Sequence, residues 1–260
     1  MLDHARVSPA GDPASVPGFP PPGDPLWRAI AAAGADSVEL KVLLVPGAAR
    51  LTGRHAARTR QRRLFLLDTA DLVLARAGVH VRLRDRGRDR WDLTVRVRGD
   101  GPVPERLRPL GARVEVDVLP DHAFHSAELR DALAADRATA CRDGRVDVHD
   151  LLSGAQAALL ARAVPDLDAD LRVHGPLVVE RAVVPRPRCG LAHARHERCR
   201  FPGGRVLEEF SARCLPADAP AVARAVTTFL VAHDAVPAAS QRTKTAAWLD
   251  QLLRAAPPGR

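Results

Sequence analysis

The sequence predicts an α+β fold: a closed antiparallel β-barrel of about eight strands with a charged interior, covered on the outside by helices. Three observations lead there. First, the stretches 79-VHVRLR-84, 91-WDLTVRVR-98 and 112-ARVEVDVL-119 alternate with period two, placing ionic side chains on one side and aliphatic ones on the other. Second, the ionic sides carry Arg-x-Arg twice and then Arg-x-Glu-x-Asp, an inventory suited to phosphates and hard metal ions. One such strand alone reads as a solvated sheet face; three in succession favour a closed barrel with the ionic sides turned inward. Third, helical segments are available to cover the aliphatic sides.

The elements follow in order. Residues 1–25 are rich in Pro and Gly with little periodic apolar content, which predicts a disordered leader ahead of one domain over residues 26–256. A short helix is expected over 26–33, then a strand over 37–45 that ends at Pro46 and Gly47. A basic loop, 50–63, leads to a strand over 64–69, and Asp68 or Thr69 caps a helix over 70–77 that stops at Gly78. The hairpin 79–84 and 91–98 turns through "DRGRDR", and the strand 112–119 follows. Helices are expected over 125–135, 146–163, 218–234 and 241–256, with strands over 170–184 and 205–215 between them.

Composition sets the partners. Hydrophobic residues make up 46% and charged residues 27% of the 260, as in an ordinary soluble protein, and no apolar run approaches a membrane span. The first residues lack the apolar core of a signal peptide, so a cytoplasmic location is expected, with the four cysteines reduced. The balance of 39 basic against 31 acidic residues predicts attraction to polyanions. Lysine occurs only at Lys41 and Lys244, the other basic residues being arginine, a bias typical of a GC-rich bacterial genome. A lysine kept against that bias points to a position where a compact ammonium is not replaceable by a planar fork.

Several motifs resemble, in order, those of the CYTH family, the triphosphate tunnel metalloenzymes named for class IV adenylate cyclases and thiamine triphosphatases. The segment 37-SVELK-41 is similar to that family's Glu-x-Glu-x-Lys strand, "FLLDTADLVLARAGVHVRLR" to its strand, turn, helix and "LRxR" strand, and "WDLTVRVR" to its "W-x-L-T-x-K" strand. "RVEVD" resembles its Arg-x-Glu-x-Glu strand, 205-RVLEEFSAR-213 its late Glu-bearing strand, and "QRTKTAAWL" its closing helix. The resemblance implies a metal-dependent triphosphatase with Mg2+ or Mn2+ as cofactor. It implies phosphate contacts from Lys41, Arg82, Arg84, Arg96, Arg98, Arg113, Arg181 and Lys244, and metal held by Glu39, Glu115, Asp117 and Glu209. Lys41, Glu115 and Asp117 are the implied catalytic residues. Two positions depart from the family pattern: Ser37 stands at its first glutamate and Ser211 at a second late acidic position.

Two rival functions share the same residues: a nucleotidyl cyclase acting on ATP, and a non-catalytic binder of polyphosphate or another polyanion. Nucleic acid is disfavoured, since aromatics are 3% and tyrosine is absent, leaving few stacking platforms. A separate candidate is zinc at Cys189, His193, His196 and Cys199, although C-x3-H-x2-H-x2-C matches no standard zinc module and a polar loop explains it as well.

Overall fold

The computed structural model describes residues 18–47, 51–52, 59–165, 167 and 170–255. Most of the expected leader (1–17) and much of the basic loop (48–50 and 53–58) lie outside the described residues.

Nine strands close a barrel: β1 (Ser37–Leu44), β2 (Arg60–Asp68), β3 (Val79–Asp85), β4 (Trp91–Gly99), β5 (Arg113–Val118), β6 (Ala123–Leu133), β7 (Arg172–Val183), β8 (Ala194–Arg200) and β9 (Val206–Cys214). Their spatial order is β1-β5-β6-β4-β3-β2-β7-β8-β9, and β9 returns to β1. The closed, helix-covered barrel expected from sequence is present; among the described residues it has nine strands where about eight were expected, and it is not wholly antiparallel, since β1 runs parallel to β5, with Glu39 beside Asp117. Each of these strands has a neighbour on both sides.

The helices are α1 (Pro25–Ala32), α2 (Val73–Arg76), α3 (Ala135–Arg142), α4 (Gly154–Ala163), α5 (Arg186–Cys189), α6 (Ala219–Val231) and α7 (Lys244–Ala255). Asp24 caps α1 by accepting from the Leu26 amide, and Ser153 with Gln156 forms a reciprocal capping box on α4. Asp68 accepts hydrogen bonds from the amides of Thr69, Leu74 and Ala75, which ties α2 to the end of β2.

The largest departure from expectation is the helix expected over 125–135: residues 125–133 belong to β6, and a helix starts only at Ala135. Their Ala, Leu and Glu content favours a helix locally, but pairing with β4 on one side and β5 on the other overrides it. The segment's alternation is visible once paired: Ala127 and Leu129 face the outer core, Ser126, Glu128 and Arg130 the barrel interior. β8 lies in what reads as a polar loop, and α4 begins at Gly154, later than the expected 146.

Three apolar clusters hold the fold. Outward residues of β1, β5 and β9, among them Leu40, Val116 and Phe210, pack beneath α1 and α6. Val81, Leu83, Leu93 and Val95 of β3 and β4 pack beneath α3 and α4. The third cluster occupies the barrel interior: Leu43, Leu64, Leu66, Leu177 and Leu207 face inward by register and meet Ala247 and Trp248 of α7. Charge therefore fills only part of the interior, and α7 seals an apolar plug at the other part.

Candidate functional site

Alternation along β1 sends Ser37, Glu39 and Lys41 inward, and the register carries the same side across the barrel. Glu39 lies beside Asp117 on β5 and Arg213 on β9, while Lys41 lies opposite Ser211. On β3 and β4, His80 pairs with Arg96, Arg82 with Thr94, and Arg84 with Asp92. These side chains enclose a cavity of about 160 Å3 lined by twelve Arg and Lys side chains and by two carboxylates, Glu39 and Glu209. No aromatic side chain lines it.

Each lysine bridges two buried carboxylates. Lys41 Nζ stands 2.7 Å from Asp117 and 3.2 Å from Glu39. Lys244, at the first turn of α7, donates to Glu209 at 2.7 Å and also to Glu197. Glu197 and Glu209 are direct cross-strand neighbours, a like-charge pair that is unfavourable without a cation between them. A single ammonium with freely rotating donors fits between two carboxylates where a planar guanidinium must choose an edge.

Arg96 is the most tied arginine, with Nη2 2.7 Å from Glu115 and 2.6 Å from Glu128. Glu128 also holds Arg82 at 3.3 Å and Arg130, so one carboxylate anchors three guanidinium groups. Arg98 bonds Asp117 and reaches the Thr243 hydroxyl at 3.0 Å. Arg84 bonds Asp92 at 2.5 Å, and Arg181 bonds Glu197.

The electrostatics divide these groups. Burial opposes ionisation of Asp117, but Lys41, Arg98 and Arg96 outweigh it and draw its carboxyl down to about 2. Burial likewise opposes ionisation of Glu39, and Lys41 and Arg213 hold it well below the usual carboxylate range. Lys41 is raised despite burial, by Asp117 and Glu39. In contrast, burial and the Arg96 charge lower Arg82 to about 9, and burial with Arg181 lowers Arg62 to about 10. Burial is the larger cause at both, with neighbouring guanidinium charge adding to it, whereas Arg96 and Arg213 are raised, despite burial, by the carboxylates they touch. His80, behind the arginine wall, is held well below the ordinary imidazole range by burial and by Arg98, Arg82 and Arg96, and its Nδ1 has no partner among the described residues.

Carboxylate oxygens of Glu39, Glu115 and Asp117 lie within 4.8 Å of one another, all buried. Three hard oxygen donors fit Mg2+ or Mn2+ and do not suit softer, thiolate-seeking ions. Glu209 stands apart from this trio on Lys244, and one of its buried oxygens has no hydrogen-bond partner among the described residues.

Of the residues expected from sequence, Lys41, Arg82, Arg84, Arg96, Arg98, Arg181 and Lys244 converge on the cavity with Glu39 and Glu209, and Glu115 and Asp117 lie directly behind. Arg113 does not: it opens β5 as an exposed residue outside the lining. Sequence reasoning missed Arg62, Arg86, Arg130, Arg195, Arg213, Glu128 and Glu197. The zinc candidate is corrected. Cys189 is buried in the cluster under α6, His193 is exposed, His196 faces outward to Glu208 at 3.1 Å, and Cys199 faces inward on the opposite side of β8.

No family model matches the sequence, and no curated protein matches it. Solved structures do match the fold. A candidate adenylyl cyclase from Hippeastrum, HpAC1, described as having a dominant triphosphatase activity, superposes with TM-score 0.60 at 16% identity, covering 82% of this chain and 95% of that one. A candidate adenylate cyclase from Bacillus halodurans gives TM-score 0.55 at 13% identity over 82% of this chain and 97% of the other. Motif order and solved structures agree, and the chain has the closed, charged barrel expected of the CYTH, or triphosphate tunnel, fold.

Proposed function

We propose that this chain is a divalent-metal-dependent hydrolase of triphosphate-containing substrates, which binds the polyphosphate inside the basic cavity. The observation that carries the reading is the crowding of cations: twelve Arg and Lys side chains line the cavity with Glu39 and Glu209, and Glu115, Asp117, Glu128 and Glu197 hold them from outside the lining. Such crowding is relieved by a compact polyanion that accepts charge-assisted hydrogen bonds from several arginines at once.

In this reading Lys41, Arg82, Arg84, Arg96, Arg98, Arg181 and Lys244 grip the phosphates. Glu128 orients Arg82 and Arg96 by holding both from behind. Glu39, Glu115 and Asp117 are the residues suited to hold Mg2+ or Mn2+, while Glu209 stands apart on Lys244 and lines the same cavity. When bound, the ion supplies Lewis-acid polarisation of a phosphoryl oxygen. Asp117 and Glu115 orient the attacking water, a role that Asp117, ionised at any pH above about 2, is equipped to fill. Lys41 neutralises charge at the transferring phosphoryl group. No covalent nucleophile is needed.

The test is turnover of tripolyphosphate, ATP and thiamine triphosphate with Mg2+, Mn2+ or chelator, with products separated by ion chromatography. Metal-dependent release of phosphate or pyrophosphate is expected. Cyclic nucleotide from ATP would instead make the chain a cyclase. Tight binding without any product would make it a binder.

A further inference from the structure

Arginine does not stop at the mouth of the cavity. Arg86 lines the cavity and also an adjoining open groove of about 490 Å3, built from Thr59, Arg60 and Gln61 at the start of β2 and from Arg86, Arg88 and Arg90 in the β3–β4 turn. The two spaces therefore share a wall. On β2, Arg62 lines the cavity, and Arg60, two residues earlier, is on the same face and pairs in register with Arg181, another cavity residue.

Among the described residues the groove is charged in one sign only, and no carboxylate lines it. Arg86 is held by Asp92 at 3.3 Å, and Asp85 is taken by Arg63 at 2.5 Å, whereas Arg60, Arg88 and Arg90 are exposed and form no ion pair among the described residues. Asp89 belongs to the same turn but does not line the groove. The turn itself is informative: Arg88 and Asp89 both have φ of 55°, a left-handed conformation for which hairpin turns favour Asn or Gly. The chain keeps a long cation at a position where a small residue is easier. Neither the groove nor the cavity offers an aromatic platform for a base.

We propose that this groove is a second polyanion subsite, continuous with the cavity, that takes the phosphates of a linear inorganic polyphosphate chain lying beyond those held inside the barrel. The inference rests on the triphosphate reading of the cavity and adds a chain-length preference to it. Unpaired arginines at exposed positions gain from each further phosphate with little desolvation, and each contact displaces counterions, so the gain is salt-dependent.

The experiment is calorimetric titration, without divalent metal, of tripolyphosphate and of a linear polyphosphate several times longer into wild type and into the triple variant Arg60→Ala, Arg88→Ala, Arg90→Ala. Both proteins are titrated at several salt concentrations, and thermal melts verify that the variant folds. Wild type is expected to bind the longer chain about tenfold more tightly, with a salt slope steeper by roughly one for each added arginine–phosphate contact. The variant should keep wild-type affinity for tripolyphosphate and lose both the gain and the extra slope. Equal long-chain affinity in wild type and variant would overturn the proposal, because multiple binding registers along a long chain then explain any gain. An oligoribonucleotide that displaces the long chain from wild type at matched phosphate concentration would also overturn it, in favour of a nucleic-acid groove. Failure of tripolyphosphate to bind wild type would reject the cavity reading itself, a result distinct from failure of the groove alone.

Discussion

Lys41 offers the sharpest test of how the cavity works. Its side chain is 8% exposed, with the ammonium 2.7 Å from Asp117 and 3.2 Å from Glu39. Lys41→Ala leaves both carboxylates inside the barrel. Asp117 retains Arg98 and Arg96, but Glu39 keeps only Arg213 at 3.4 Å and Arg195 at 3.8 Å. Removing one partner of a buried ion pair costs about 3–5 kcal/mol. For a chain of this size each kcal/mol shifts Tm by roughly 2–4 °C, so a fall of about 10 °C is expected. Asp117 has a folded-state pKa of about 2. That lies below the ordinary aspartate value of roughly 3.9, so its ion pairs stabilise the fold fully above that value. The contribution, about 2–3 kcal/mol, is lost as pH falls through the folded-state value. Without Lys41 the carboxyl is less depressed, and acid unfolding should begin at higher pH. Lys41→Arg keeps the charge and most of the stability, yet it sets a bulkier planar fork where a compact ammonium sits between Asp117 and Glu39, and tripolyphosphate affinity should fall at least about tenfold. The assays are thermal melts from about pH 3 to pH 8 and binding by calorimetry. Wild-type affinity in Lys41→Arg would refute the geometric argument, and a wild-type melt in Lys41→Ala would refute the buried-pair argument.

Glu39→Gln removes a carboxylate from the trio and Glu209→Gln the carboxylate that holds Lys244, and each is expected to abolish metal-stimulated release of phosphate; unchanged stimulation by Mg2+ or Mn2+ in both would reject the metal assignment. Glu128→Ala leaves Arg82, Arg96 and Arg130 without their shared anchor, a loss of about 3 kcal/mol that saturating tripolyphosphate should partly restore in a melt, because the anion neutralises the same guanidinium groups. Gly78 has φ of 72°, and a Cβ there would stand 2.5 Å from the Arg98 carbonyl oxygen. Gly78→Ala should therefore destabilise by at least about 1–3 kcal/mol in chemical denaturation, and a wild-type midpoint would contradict the geometry. Ligand at a hundredfold excess over Kd should stabilise wild type by about 2.7 kcal/mol, and raising the salt concentration should shrink that effect by weakening binding.

How much of this was legible follows from where a period of two survives in the chain. β1, β3, β4, β5 and β9 carry Val, Leu and Ile-like alternation against charge, and their inward residues were readable, including Lys41, Arg82, Arg96 and Asp117. β6 and β8 lack that signature. "AFHSAELRDAL" is built from helix formers, and "ARHERCR" has no β-branched residue, so both became strands only through pairing on two sides. Their misassignment hid Glu128 and Glu197, the carboxylates that anchor the arginine wall and Lys244. Arg213 was legible in principle, because it lies two residues after Ser211 on a strand already identified, and so on the same face. Arg113 erred the other way: period two gave its face correctly but not its distance from the mouth, which depends on barrel tilt and stagger.

The cavity's chemistry is set by how few of its carboxylates are uncommitted. Glu128 serves three arginines, Glu197 serves Lys244 and Arg181, and Asp117 serves Lys41, Arg96 and Arg98. Positions 37 and 211, which face inward beside Glu115 and Lys41, carry only hydroxyls. A glutamate at either would add negative charge and a further oxygen donor, moving the balance toward the metal ion. Serine leaves that charge out, and Arg82 and Arg62, lowered first by burial, are lowered further by their guanidinium neighbours Arg96 and Arg181. The fold bears the strain of like charges held close together so that the cations are already in place when a polyanion arrives, which is the arrangement that electrostatic preorganisation requires. In the triphosphate reading proposed above, every phosphate contact relieves repulsion as well as forming a bond, so that reading assigns the interior to the anion more than to the metal.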